Sequence, residues 1–267
     1  MSGKGVALVT GASGGIGEEI AKQLAADGYS LVLVARDEER LHRVGRALAE
    51  RHGITYHAVA ADLTDPAAPE RIFRETEARG VAVEVLVNNA GFGLRGTFVQ
   101  TGAAAATDLS RELAMIQINC TAVTHLSKLY VPGMVARGRG RMLNVASTAA
   151  FQPGPLMAVY YATKAYVLSF SEALAVELQG TGVTVTCLCP GATRTEFQKA
   201  ADMEQSRLFQ AGHVMDAATV ARVGLQAMHA GRATVVPGAV NKVMAVSTRF
   251  VPRTLAARLA KAAQENA

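Results

Sequence analysis

The sequence predicts an α/β protein: a doubly wound, mainly parallel seven-stranded sheet flanked by helices. Three observations carry that expectation. Apolar runs of strand length alternate with segments of 3.6-residue periodicity, the pattern of a parallel sheet with helices on both faces. A glycine-rich turn, Gly11 to Gly17, follows the first strand-like run directly. The 267 residues contain no repeat, low-complexity tract or linker, so a single domain, 1–267, is expected, with 240–267 as its helical C-terminal extension.

Val6 to Thr10 forms the first strand, and a helix from about Ile16 to Asp27 ends at Gly28. Leu31 to Ala35 is the second strand. Asp37 has the character of a cap for a helix whose Leu41, Val44 and Leu48 face inward. Tyr56 to Ala60, a turn at Asp62 to Pro66, a helix over Arg71 to Glu77 and a strand at Val83 to Val87 come next. A long helical stretch from about Thr107 to Val135 precedes a strand at Arg141 to Val145, and another long helix runs from about Tyr160 to Leu178. The sixth strand, Val183 to Leu188, breaks at Pro190-Gly191, where proline cannot extend a ladder. A helix near Ala217 to Ala230 leads to the seventh strand at Thr234 to Val236, and two short helices separated by Pro252 end the chain.

Composition narrows the function classes. Apolar residues make up 50% and charged residues 18%, a balance that supports a sizeable core and argues against disorder. Cys120, Cys187 and Cys189 are odd in number and lack metal-ligand spacing, so neither a disulfide framework nor a metal site is expected. The net charge of +5 is scattered and not interleaved with aromatics, which disfavours nucleic acid as a partner. Met1 to Gly5 leaves no room for an apolar leader, and no run approaches a membrane span; a cytoplasmic protein with reduced thiols is the expectation.

The turn Thr10-Gly11-Ala12-Ser13-Gly14-Gly15-Ile16-Gly17 has the context of a dinucleotide-binding, Rossmann-type site. Gly11 permits the tight turn, Gly15 lets the main chain approach a pyrophosphate, and Gly17 allows close helix packing, while the exposed helix N–H groups attract negative charge. Its spacing departs from the general Gly-x-Gly-x-x-Gly form. Asn88-Asn89-Ala90-Gly91 follows the fourth strand, Ser147 the fifth, a Tyr160-x-x-x-Lys164 pair opens the next helix, and Pro190-Gly191 follows the sixth strand. With these motifs in this order, the chain up to about Pro237 resembles a classical member of the short-chain dehydrogenase/reductase family.

Tyr160 and Lys164 stand at i and i+4, so their side chains share one helix face. A free tyrosine, with a pKa near ~10, is a poor proton donor or acceptor at neutral pH, but a lysine ammonium at ~4 Å stabilises the phenolate by a few kcal/mol. Ser147 closes the preceding strand at the carboxyl end of the sheet, where ligands bind in such folds. The resemblance makes Tyr160 the general acid or base, Lys164 its electrostatic partner and ribose ligand, and Ser147 the ligand of the substrate oxygen. Asn119, mid-helix, matches an asparagine that organises a water relay to the lysine; the plainer alternatives are a cap or a core amide. Tyr161 is expected to be a packing residue.

Cofactor choice rests on Arg36, just past the second strand, where an arginine meets the 2′-phosphate of NADP and an acid would hold the 2′-hydroxyl of NAD. NADP(H) is therefore expected over NAD(H), with Asp37 read as a helix cap. Position 14, basic in many NADP-dependent relatives, is glycine here. The resemblance also assigns cofactor contacts to Ser13, Ile16, Asp62, Leu63, Asn89, Ala90, Gly91, Pro190, Gly191, Thr193 and Thr195.

Substrate selection falls to Phe92 to Phe98, Phe151 to Val159 and Phe197 to Met215, the last as a lid; Phe92, Phe151, Pro155, Leu156, Met157, Phe197 and Met203 suggest an apolar pocket. Arg95 and Arg194 are candidate ligands for an acidic group. The basic, amphipathic tail has the character of a membrane-surface segment, but alanine-rich apolar faces bind membranes weakly, so it is expected to pack over the pocket or against a second subunit. Extra apolar character on the two long helices predicts a homodimer or homotetramer. The function expected is NADP(H)-dependent hydride transfer between nicotinamide and a carbonyl or secondary alcohol of an apolar small molecule. The alternatives are a non-catalytic NADP-binding regulator, which would need no Tyr160/Lys164 pair, and a sugar-nucleotide epimerase, which usually needs a larger C-terminal domain.

Overall fold

The computed structural model describes residues 4–100, 105–196 and 214–264. Seven parallel strands form one sheet in the order β3-β2-β1-β4-β5-β6-β9. They are β1 (Val6–Thr10), β2 (Ser30–Ala35), β3 (Tyr56–Ala60), β4 (Val83–Asn88), β5 (Gly140–Val145), β6 (Val183–Leu188) and β9 (Thr234–Val235). Their Val- and Leu-rich runs have no polar alternation because both faces are covered by helices. The order reverses between β1 and β4, and strand ends diverge there into a crevice.

On one face, α1 (Gly15–Ala26), α2 (Glu38–His52) and α7 (Ala217–His229) pack Ile20, Leu24, Leu41, Val220 and Met228 against β1, β2 and β4 to β6. The other face is covered by α3 (Ala68–Ala78), α5 (Ala122–Ala136) and α6 (Ala158–Glu177), with Ile72, Leu126 and Met134 at its centre. Asp37 caps α2 as expected, its carboxylate accepting the Arg40 N–H at 2.9 Å. Gly53, at φ 65, ends that helix in the left-handed conformation.

The long stretch expected from Thr107 to Val135 is α4 (Leu109–Ile116), a π-helical turn at Gln117–Thr121, and α5. A π turn inserts one residue without breaking the helix, a distortion that periodicity does not reveal and that is frequent at functional sites. A two-stranded ladder of β7 (Thr193–Arg194) and β8 (Met215–Asp216) was also outside the expectation, each strand being too short to show a pattern. The tail forms α8 (Ala239–Ser247) and α9 (Arg253–Gln264), on either side of Pro252.

Candidate active site

The crevice continues into a cavity of about 610 Å³, lined by the ends of β1, β4, β5 and β6, the start of α6, and the tail helices. Gly11 and Gly15 adopt φ of 66° and 56°, conformations that side-chain-bearing residues avoid, and a Cβ on Gly17 would collide with the Gly11 carbonyl oxygen. Gly14 caps α1 without a side-chain hydrogen bond, so the helix opens on unclaimed N–H groups at the cavity, where Ser13, Gly15 and Ile16 also lie. Gly17 stays out of the lining, as its packing role requires.

Thr10 ties this turn to the end of β4. Its Oγ1 accepts the N–H groups of Asn89 and Ala90, each at 3.0 Å, while the Asn89 amide donates to the Thr10 carbonyl at 2.9 Å. Asn89, Ala90 and Gly91 thereby reach the cavity wall. Thr10 was missed as a functional position; a hydroxyl at the end of a buried apolar strand is the signal that it must bond across the sheet.

Tyr160 and Lys164 are both buried on the inward face of α6. The Tyr160 hydroxyl is hydrogen-bonded to Ser147, whose own Oγ contacts the Pro190 carbonyl at 3.4 Å. Lys164 Nζ lies 5.8 Å from the centre of the Tyr160 ring and donates to the Val145 carbonyl at 2.9 Å. Burial pushes the Tyr160 phenol well above its ordinary pKa, opposed by the Ser147 hydrogen bond. Burial also lowers Lys164 to about 8. Loss of water is the largest influence on the phenol, which is held neutral at ordinary pH.

Asn119 sits in the π turn. Its amide donates to the Phe92 carbonyl and to Thr163 Oγ1, both at 3.0 Å, and its Oδ1 accepts the Phe92 N–H at 3.2 Å. Thr163 in turn donates to the Tyr160 carbonyl, so Asn119 bonds the loop after β4 to the helix carrying Tyr160. Tyr161 also lines the cavity; its ring packs over Gly154 and its hydroxyl accepts the Gln264 amide at 2.7 Å.

Arg36 is exposed and lines the cavity. A second cation, Arg40, was overlooked. One turn into α2, its guanidinium lies 3.3 Å from where a Cβ on Gly14 would be, and it makes a bidentate pair with Glu196 at 3.0 Å. A guanidinium from a neighbouring helix thus stands beside position 14, just outside the cavity lining, a juxtaposition that only the fold reveals. Pro190, Gly191, Thr193 and Thr195 line the cavity beyond β6, the Thr195 side chain next to Gly15.

Other expected contacts lie elsewhere. Asp62 and Leu63 fall outside the cavity lining: Asp62 Oδ1 accepts the N–H and hydroxyl of Thr64, and Leu63 packs in the core. Phe92 and Met157 line the cavity, whereas Pro155 and Leu156 border a neighbouring one and Phe151 packs near Val167 and Cys187. Arg95 donates at 3.0 and 2.8 Å to the Gln264 carbonyl at the end of α9 and stands outside the cavity lining. Arg194 is exposed outside the cavity lining. Phe197 and Met203 lie outside the described residues, as does all of the expected lid except its last two residues. Of the two packing modes foreseen for the tail, the structure has it over the pocket, with Met244, Val251, Leu259 and Gln264 in the lining.

The short chain dehydrogenase family model matches residues 5–206. A very-long-chain 3-oxoacyl-CoA reductase of Pyrenophora tritici-repentis is 36% identical over 197 residues, 72% of this chain and 56% of the relative, so the chain spans little more than half of that protein's length. A putative ketoacyl reductase of granaticin polyketide synthesis from Streptomyces violaceoruber is 40% identical over 197 residues, covering 72% of this chain and 69% of the relative. Among solved structures, a short-chain dehydrogenase from Sphingobium yanoikuyae in complex with NADPH has a TM-score of 0.80 at 32% identity, covering 92% of this chain and 93% of that one. With the glycine turn, the Ser147–Tyr160 bond and Lys164 assembled at one crevice, and this match over most of its length, the chain belongs to the short-chain dehydrogenase/reductase family.

Proposed function

We propose that the chain is an NADP(H)-dependent oxidoreductase acting between a carbonyl and a secondary alcohol of an apolar small molecule, with Tyr160 as the general acid and base. The observation that carries this reading is the buried Tyr160 hydroxyl bonded to Ser147, above Lys164, on the wall of a cavity that also holds the uncapped start of α1. The residues present fit a nicotinamide dinucleotide: Gly11, Ser13, Gly15 and Ile16 receive its pyrophosphate, Arg36 and Arg40 its 2′-phosphate, and Thr193 and Thr195 its nicotinamide end. When bound, that cofactor supplies or accepts the hydride.

Ser147 and Tyr160 grip the substrate oxygen with two hydroxyls, which orients the carbonyl carbon. In the reducing direction Tyr160 delivers its proton to that oxygen, and its raised pKa keeps the proton in place until charge develops there. Lys164, a cation below pH about 8, steadies the phenolate left behind. Asn119 holds the main chain of Phe92 and the side chain of Thr163, fixing the helix from which Tyr160 projects. Phe92, Met157, Met244 and Leu259 form apolar walls around the remainder of the substrate. The three free cysteines support a cytoplasmic setting.

The test is cofactor oxidation over a panel of ketones, aldehydes and acyl thioesters. Tyr160→Phe is expected to lower kcat by at least roughly 10²-fold while NADPH affinity stays within a factor of about two. Tyr161→Phe should retain most activity. Exchange of the two phenotypes, or NADPH turnover that survives in Tyr160→Phe, would overturn the assignment.

A further inference from the structure

The expectation that the tail binds membranes weakly rested on its alanines, and the structure removes that ground. Ala245, Ala256 and Ala260, with Asn241 and Gln264, are the residues the tail buries against the body of the protein. On α8, Val243 and Val246 project roughly opposite Asn241 and Ala245, two and five positions on at 100° per residue. Both are exposed, Val243 at 68%. Phe250, in the turn that follows, is 82% exposed, and Leu259 on α9 is 61% exposed. Seven of the fifteen large apolar side chains exposed among the described residues lie between positions 240 and 259, too dense a cluster for ordinary scatter.

Charge decides what covers this face. Lys242, Arg249, Arg253, Arg258 and Lys261 are all exposed, and no Asp or Glu occurs from Pro237 to Gln264. Large apolar side chains interleaved with cations of one sign match an anionic interface with an apolar interior. We propose that the outer face of α8 and α9 docks on the surface of an anionic lipid bilayer, with Val243 and Phe250 entering the acyl boundary and the cations at the headgroups. Among the described residues no helix is long and apolar enough to cross a membrane, so this contact is peripheral. The same two helices line the cavity through Met244 and Leu259, with Val251 in the turn between them, so docking places the cavity beside the lipid. On the catalytic reading above, apolar carbonyl compounds dissolved in the bilayer are then the substrate class; the docking itself does not depend on that reading.

Co-sedimentation of the full chain with vesicles tests the proposal. Binding is expected to phosphatidylcholine vesicles containing phosphatidylglycerol and not to phosphatidylcholine alone, and to weaken as salt rises. The double variant Val243→Glu/Phe250→Glu should lose roughly tenfold or more in vesicle affinity, and so should Arg249→Gln/Arg253→Gln. Unchanged thermal melting and unchanged NADPH binding in both variants separate this from misfolding and from failure of the catalytic reading, since none of the four residues lines the cavity. No binding to anionic vesicles by the parent chain would overturn the proposal. So would dissociation of an oligomer by Val243→Glu/Phe250→Glu without any effect of lipid, which would make the face a subunit contact.

Discussion

Lys164 retains 6% of its surface, and loss of water lowers its pKa from 10.5 to about 8. Its sign with respect to stability follows directly. Between pH about 8 and 10.5 the unfolded chain binds more protons at this residue than the folded chain, so its contribution to stability rises with pH across that window; below it the full cost of a buried ammonium is present. On the proposed mechanism the same charge steadies a Tyr160 phenolate. Lys164→Met is therefore expected to raise the melting temperature of the unliganded chain at pH 7, by a free energy of up to about 3 kcal/mol, while abolishing turnover. For the parent chain, kcat/KM for carbonyl reduction should fall on an alkaline limb near pH 8, as Lys164 loses its proton in the free enzyme. A flat profile from pH 7 to 9, or a less stable Lys164→Met, would show that Lys164 carries no such buried charge.

At the scale of elements, the proposed preference for NADP(H) rests on the first turn of α2. Arg36 stands at the end of β2 and Arg40 four residues on, its guanidinium beside Gly14 and paired with Glu196. Phosphate offers that fork the same bidentate geometry as the carboxylate, with more charge. Arg40→Ala should raise KM for NADPH about tenfold or more and change KM for NADH little, since a charge-assisted hydrogen bond to a partner present only in NADPH contributes about 1.5–3 kcal/mol. The same two measurements on Arg36→Ala should give the same asymmetry. Equal use of both cofactors by the parent chain would remove the basis for the assignment. In the π turn, the extra residue interrupts the α register between α4 and α5 at the position of Asn119, whose amide meets the main chain of Phe92 and the side chain of Thr163.

For the whole molecule, the apolar surplus on the two long helices divides in a way that sequence did not show. Met115, Val123, Leu126 and Leu168, part of that apolar surplus, are buried within the chain. Leu109, Leu113 and Ile116 on α4, and Tyr166 and Val176 on α6, are the large apolar side chains those helices expose. These two helices pack beside each other, so the exposed residues offer a surface for a symmetry mate. The expectation of a homodimer or homotetramer now rests on them. Leu113→Glu with Ile116→Glu should shift the scattering mass to that of one 28.0 kDa chain, and a parent already at that mass at micromolar concentration would refute the assembly.

The strands and most of the crevice are legible from residue pattern. Parallel strands covered on both faces need unbroken apolar runs, and main chain turning onto a phosphate site needs glycine, so Val6 to Thr10 and Gly11 to Gly17 are legible without coordinates. The Tyr160/Lys164 pair is local to one helix and equally legible. Tertiary structure alone decided three things. Arg40 reaches Gly14 across a gap of 26 positions because β1 and β2 are neighbours in the sheet. Arg95 bonds the end of α9, 169 positions away, because the tail folds back over the cavity. Burial, which no spacing encodes, sets the direction of the shift at Tyr160: desolvation scales with how completely neighbours exclude water, and those neighbours include Leu94 after β4, Met115 on α4, and Ala149 and Met157 between β5 and α6.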